Sequence, residues 1–400
     1  MKHLFPIIII VMAFLHSCSS QPKMASDNNG RLFTEGDVAV LDLHGSWYQM
    51  GRQYGILAKD KMIDVLAYVD GKLKDEPGRI ASATEIAEKL YAHYPQHLKD
   101  FLQGVSETSD LSIERVKLCN AAEYVEGAFF CSAMATWGDY AQGPLVFGRN
   151  YDAVSYAEIG KDVVVTVYHP DGEMAAATIG YAGELYCVNG MNEQGLFFEL
   201  NNGMPSAGWD IHWELCPSTT LLFDLMFQAK TMDDVDRFFK QQQSFASFII
   251  GVGCKEEARA YEWCYDGVER ADTKTPEGLM AITNHYVNDA WRYPLPCNED
   301  SWNSLIRHAN LLERAQELKG RFDVEMMEGV MSTAIEDGGP LHHLTRYQIV
   351  AVPASKTLYL RIGDAEKWSR IDLGSYFGGR KSLEFRVMGE GRMDTTESWR

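Results

Sequence analysis

The sequence is short of positive charge. Against 56 Asp and Glu it sets 37 Lys and Arg, a formal charge of −19 at pH 7, and a chain that acidic has no general attraction for phosphate backbones or anionic lipid headgroups. Nucleic acid is therefore not an expected partner. Internal repeats and low-complexity tracts are absent, which excludes solenoids and stalks. Its 13 Pro and 34 Gly in 400 residues are too few for a collagen-like or disordered chain. The eight cysteines contain no C-x-x-C pair and no paired Cys/His spacing, so no metal site is expected, and the adjacent His342 and His343 are expected to point apart. The apolar run Leu4 to Leu15 is too short to span a bilayer as a mature helix. What remains is an ordinary globular balance, 46% hydrophobic and 23% charged, enough for a sizeable core and one to three domains.

Lys2 and His3 ahead of that apolar run make residues 1–17 read as an export signal. Leu15-His16-Ser17-Cys18 resembles the lipobox of bacterial lipoproteins, which implies lipidation at Cys18 and a cell-envelope lipoprotein, on the periplasmic or surface side, held to the membrane through its lipid only. Residues 18–31 are polar and read as a flexible tether, with the folded body expected from Leu32. Export implies an oxidising compartment. Without Cys18 the remaining cysteines, 8 − 1 = 7, are odd in number, which flags a free thiol.

Further along, the pattern changes once, near residue 130. From Gly45 to about Gly127 the apolar spacing is helical: Tyr48, Met50, Tyr54, Ile56 and Leu57 open one amphipathic segment, and Ser82-Ala83-Thr84-Glu85 reads as a capping box opening another. A further helix is expected over Ile113 to Val125. After Phe130, strands are expected at Cys131 to Trp137, Leu145 to Arg149, Val163 to Tyr168 and Met174 to Ile179. Helices follow at Thr219 to Ala229 and, behind the capping-box-like Thr231 to Asp234, at Val235 to Gln242. Strands at Phe248 to Val252 and Ala258 to Cys264, helices at Trp302 to Leu318 and Val324 to Thr333, and a hairpin from Tyr347 to Ile362 complete the pattern. This alternation predicts an α+β fold with helices covering stacked antiparallel sheets, and residues 32–130 read as a separate helical unit ahead of it.

Cys131-Ser132-Ala133-Met134-Ala135, followed by Leu145 to Asp152 with its Gly148-Arg149-Asn150-Tyr151-Asp152 motif, resembles the start of the catalytic chain in the choloylglycine hydrolase and penicillin acyltransferase group of N-terminal-nucleophile (Ntn) hydrolases, and is similar also to acid ceramidase. Gly190 to Leu196 looks like that group's strand-turn-strand segment and Thr283-Asn284-His285 like its later Asn motif, so the resemblance spans roughly residues 131–375. It implies a four-layer αββα sandwich over 131–400. It also implies a pro-segment over 32–130, released by self-cleavage between Phe130 and Cys131 into a non-covalent heterodimer. By the same resemblance Asp152 would hold the new α-ammonium, Arg149 would contact the thiol, and Arg307 matches a late arginine of the group.

A thiol with an unperturbed pKa of about 8.5 is mostly protonated at neutral pH, and a free α-amine with a pKa of about 8 on the same residue is matched to take its proton. Cys131 would thus supply nucleophile and base. A tetrahedral oxyanion needs donors already aimed at it; Asn284 offers a side-chain amide, and the backbone N–H of Asn202 or Asn201 the second donor, although each Asn also suits a turn. The mechanism needs no cofactor and no metal. The expected substrate is a small linear N-acyl amide, its acyl group passing to water or to an acceptor amine. Tyr140, Tyr151, Trp209, Trp213 and Tyr286 are candidates for an acyl pocket, although scattered aromatics are more often core or rim. Two rival readings stand beside this one: a papain-like pairing of Cys131 with His285 and Asp289, and a ligand-binding lipoprotein without turnover.

Overall fold

The computed structural model describes residues 23–24, 29–74, 77–126, 130–154, 157–297 and 301–378. The export signal and lipidation site at Cys18 lie outside these residues. From the N-terminus come β1 (Lys23–Met24), β2 (Arg31–Glu35) and β3 (Val38–Gly45), then α1 (Trp47–Leu57), α2 (Lys59–Leu73), α3 (Pro77–Ala92), α4 (Gln96–Ser109), α5 (Ile113–Asn120) and α6 (Ala122–Glu126). β4 (Ser132–Thr136) and β5 (Val146–Asp152) form a hairpin, followed by β6 (Val163–Pro170), β7 (Ala176–Tyr181), β8 (Asn189–Asn192) and β9 (Phe197–Asn202). After the short α7 (Met204–Ala207), α8 (Ser218–Gln228) and α9 (Met232–Gln241) precede β10 (Phe248–Gly253), β11 (Ala258–Cys264), β12 (Gly267–Arg270) and β13 (Leu279–Ile282). Finally α10 (Ser304–Glu317) and α11 (Val324–Met331) lead to β14 (Thr345–Val352), β15 (Thr357–Ile362), β16 (Ser369–Asp372) and α12 (Leu373–Phe377).

Two sheets result, one in the order β1-β2-β3-β6-β7-β8-β9-β10-β11-β12 and one in the order β13-β4-β5-β14-β15-β16. They pack face to face. Side chains alternate across a strand, so Phe147, Arg149 and Tyr151 of β5 point inward, where Phe147 meets Phe197 and Tyr151 stacks on Tyr347 and touches Tyr181. Glycines let the layers approach: a Cβ on Gly251 would lie 2.6 Å from Glu199 Oε1 and 2.9 Å from the Phe147 ring. The outer face of the small sheet, with Met134, Val146, Leu279 and Val350, is covered by Leu311 and Ala315 of α10 and Met327, Val330 and Met331 of α11. On the outer face of the large sheet, Tyr168 packs under Trp47, Phe101, Phe223 and Phe227 from α1, α4 and α8. Helices, two sheets and helices give the α+β, αββα layering expected from the sequence.

Three expectations need correction. Residues 32–130 are not a separate helical unit: they open with β2 and β3, and β3 runs parallel to β6 with Ala39 to Gly45 in register with Val164 to Pro170. A strand buried on both faces carries no alternation to mark it. Ser82 is no helix cap, because α3 begins at Pro77 and the Ser82 hydroxyl donates back to the Gly78 carbonyl inside the helix. His342 and His343 do not point apart; their ring centroids lie 4.2 Å from one another. The box at Thr231 and Asp234 does cap α9. A second box, Ser46 with Gln49, opens α1. Among the described residues the cysteines are all free thiols, and no helix is long and apolar enough to cross a membrane.

Candidate active site

Cys131 stands immediately before β4 and opposite the end of β5, where the Phe130 N–H donates to the Asp152 carbonyl at 2.8 Å and continues the ladder. Ser132 pairs with Asn150 and Ala133 with Arg149. By alternation Cys131 shares the inward face of Ala133, while Ser132 turns outward toward α10. The inward thiol is fully buried, and it accepts a hydrogen bond from Arg149 Nη2 at 3.2 Å. Burial pushes the thiol up to about 12; Arg149 pulls it down, and the nearby Asp152 and Glu199 push it further up.

Arg149 is held by four neighbours. Besides the thiol, it donates to the Leu200 carbonyl at 2.7 Å and Asn201 Oδ1 at 2.6 Å, and it pairs with the Glu199 carboxylate. Glu199 is fully buried and also accepts the Gly251 N–H at 3.1 Å. Burial raises its carboxyl while Arg149 lowers it. Sequence reasoning missed Glu199. In Phe197-Phe198-Glu199-Leu200 an isolated acid looks like a solvent-face residue, and only the packing of the second sheet gives it a cationic partner.

On the outer side, Arg307 in the first turn of α10 donates to the Cys131 carbonyl at 2.7 Å, Ser132 Oγ at 2.6 Å and Asn284 Oδ1 at 2.7 Å. Its Nη1 lies 3.9 Å from Asp152 Oδ2, and the side chain is fully buried rather than at the surface. The loop before α10 is bent around this arginine: Trp302 and Asn303 both have positive φ, 54° and 59°, and the Trp302 carbonyl accepts Arg307 Nε at 3.0 Å. Such backbone is costly outside glycine and persists where its surroundings over-determine it. The ring of Phe130, on the other side of the candidate scissile bond, packs on Trp302 with centroids 4.7 Å apart.

Asp152 accepts the Thr345 hydroxyl on Oδ1 at 2.6 Å, while its buried Oδ2 has no hydrogen-bond partner. Burial pushes this carboxyl up to about 6, with Arg307 and Thr345 opposing. Asn284 donates its Nδ2 to the Asn202 carbonyl at 2.8 Å. The Asn202 side chain accepts the Met204 N–H at 2.9 Å and so shapes the turn into α7. Asn201 offers something different, a buried side-chain Nδ2 without a partner beside Arg149. Thus Cys131, Arg149, Asp152, Asn284 and Arg307 converge, and Asn201 and Asn202 adjoin them.

Several expected contributors stand apart. His285 makes no contact suited to a Cys/His pair: its Nδ1 is engaged by Ser304 Oγ at 2.8 Å, and burial, with His308 and Arg307 nearby, holds it down at about 3. Asp289 pairs with Lys274 at the surface and does not orient His285. This geometry removes the papain-like reading. Of the aromatic residues, Tyr151 lies in the site, with its ring centroid 5.9 Å from Arg149 Cζ. Trp209 is exposed, and Tyr140 belongs to the cluster beyond the small sheet.

No family model matches the sequence, and no curated protein matches it. Solved structures resemble it at low identity. A Caenorhabditis elegans ortholog of N-acylethanolamine-hydrolyzing acid amidase is 15% identical, over 56% of this chain and 93% of its own, with a TM-score of 0.42. A variant of the conjugated bile acid hydrolase from Clostridium perfringens is 11% identical over 61% and 93%, with a TM-score of 0.42. Penicillin V acylase from Agrobacterium tumefaciens is 10% identical over 61% and 86%, with a TM-score of 0.39.

Proposed function

We propose that this chain is an exported, lipid-anchored amide hydrolase or acyltransferase of the N-terminal-nucleophile kind, which cuts its own Phe130–Cys131 bond and then acts on small linear N-acyl amides. The observation that carries the reading is the pairing, around one cysteine, of a thiol held by Arg149 with a buried carboxylate oxygen of Asp152 that accepts no hydrogen bond.

In the intact chain the Cys131 thiolate attacks the Phe130 carbonyl, the C–N bond breaks as the Cys131 nitrogen gains a proton, and the acyl group moves to sulfur. Water hydrolyses that thioester, leaving a Phe130 carboxylate, a free thiol and a new α-amine. Asp152 Oδ2, which has Arg307 at 3.9 Å and no hydrogen bond, gains an N–H donor in the α-ammonium. Burial already holds the thiol well above its ordinary value in the uncut chain, and after the cut the adjacent amine is the base that takes its proton for turnover. The thiolate then attacks the substrate carbonyl, the α-ammonium protonates the leaving amine, and water or an acceptor amine resolves the thioester. Asn284 and the unpartnered Asn201 Nδ2 are the oxyanion donors of this scheme, each accounting for roughly a hundredfold in rate. Glu199 keeps Arg149 aimed at sulfur.

The test offers purified protein a panel of N-acyl amino acids, N-acyl amines, conjugated bile acids and penicillin-like amides. Amine release should be seen for at least one class, an acyl adduct should map to Cys131, and both should vanish in Cys131→Ala. Release that survives in Cys131→Ala would contradict the reading. So would a panel without turnover on a protein whose Cys131 accepts no acyl group.

A further inference from the structure

Far from the thiol in sequence, β3 and β6 bring together three side chains that this reaction does not use. Asp42 and His44 alternate onto one face of β3, and His169 lies directly across from His44 on the parallel β6. The Nε2 atoms of His169 and His44 both face Asp42 Oδ1, at 2.9 and 3.2 Å. The two imidazoles stack with centroids 4.1 Å apart and planes 4° from parallel. All three ligand atoms lie within 4.8 Å of one another. Asp42 is buried, and the His side chains are 32% and 15% exposed at His44 and His169.

We propose that Asp42, His44 and His169 bind one divalent transition-metal ion, zinc above all, which ties β3 to β6. Two imidazoles and a carboxylate are a common donor set for such ions and a poor one for calcium or magnesium. Tetrahedral zinc with bonds of about 2.0–2.1 Å sets its ligand atoms roughly 3.3 Å apart, close to the two N···O distances of 2.9 and 3.2 Å, and binding turns the imidazoles out of their parallel stack so that both ring planes pass through the ion. The ion takes the Nε2 lone pairs, and each neutral imidazole then carries its proton on Nδ1. The His44 backbone is fixed from α1: its N–H donates to Gln53 Oε1 at 2.9 Å, and Gln53 Nε2 donates to its carbonyl at 2.7 Å. A fourth, water-filled position fits the neighbouring cleft of about 500 Å³, which His44 lines with Tyr48, Gln49, Arg52 and Asp171. The cysteine spacings gave no hint of this site, because its ligands sit on two strands and Asp42 and His169 are 127 residues apart.

Two ligands precede the Phe130–Cys131 bond and one follows it. If that bond is cut, the same ion links the two products; this consequence rests on the proposed processing, and the binding does not.

The experiment uses the full-length protein, stripped with a chelator and with its thiols blocked, titrated with Zn²⁺ against a chromophoric competitor and with Co²⁺ followed by visible absorption. One equivalent should bind, with cobalt ligand-field bands, and affinity should fall at least tenfold in His44→Ala and in His169→Ala. His44 is partly exposed, so its variant should keep the parent's circular dichroism. Absence of saturable binding, or binding unchanged in both variants, would overturn the assignment. Failure here would leave amide turnover by Cys131 intact, so the two proposals are separable.

Discussion

At Cys131 the burial that pushes the thiol up to about 12 also hides it. Reactivity follows thiolate fraction and access, so in the uncut chain iodoacetamide at pH 7.5 should alkylate Cys131 at least about a hundredfold more slowly than a free cysteine, and cleavage should remove that protection. Peptide mapping of a time course measures both. Asp152 makes a second claim testable. Its carboxyl is raised to about 6 by burial in the uncut chain, so the native state holds that proton more tightly than the unfolded state, where the pKa is about 3.9. Its contribution to stability is complete below pH 4 and lost as pH rises through about 6. In the uncut Cys131→Ala chain, adding Asp152→Asn should therefore reduce the loss of stability between pH 4.5 and 7, as read from urea midpoints; an unchanged difference would remove Asp152 from this role. Glu199→Ala would leave Arg149 buried without its carboxylate, a loss of about 3–5 kcal/mol in urea unfolding. Of the residues that converge here, Cys131, Arg149, Asp152, Asn284 and Arg307 were named from motifs in the sequence. Glu199 and the free amide of Asn201 were not legible, because what they do depends on which side chains the facing sheet presents.

Among the elements, local signals succeed where the chain decides alone and fail where packing decides. Thr231 caps α9 with a reciprocal Asp234 bond, whereas Ser82, in the same sequence pattern, lies five residues into a helix already begun at Pro77. Thr231→Ala should cost about 1 kcal/mol, and Ser82→Ala should stay within roughly 0.5 kcal/mol. Thermal unfolding of the two variants distinguishes these outcomes, and equal losses would contradict the structure. The strands β2 and β3 escaped the sequence reading because β3 is buried on both faces and has no alternation to show, and β13 because four residues carry too little pattern. Helices α1 and α4 approach so closely that a Cβ on Gly51 would lie 2.1 Å from the Phe101 carbonyl oxygen and one on Gly104 2.3 Å from that of Tyr48. Neither contact was readable from the amphipathic spacing, which fixes the face of a helix and leaves its distance to small residues.

For the molecule as a whole, the parts before and after residue 130 share one fabric. β3 is hydrogen-bonded to β6, Tyr168 packs beneath Trp47 and Phe101, and Glu123 of α6 accepts the hydroxyls of Tyr151 and Tyr186 from the later chain. A cut between Phe130 and Cys131 should thus leave two chains that co-elute in gel filtration and part only in denaturant. The central claim, that Cys131 is a nucleophile uncovered by its own attack, is tested most directly by intact mass and N-terminal sequencing of the purified protein beside Cys131→Ala. Self-cleavage gives two fragments in the parent, the larger beginning Cys-Ser-Ala-Met-Ala, and one unbroken chain in the variant. An unbroken chain in both, or the same cut in Cys131→Ala, would contradict it.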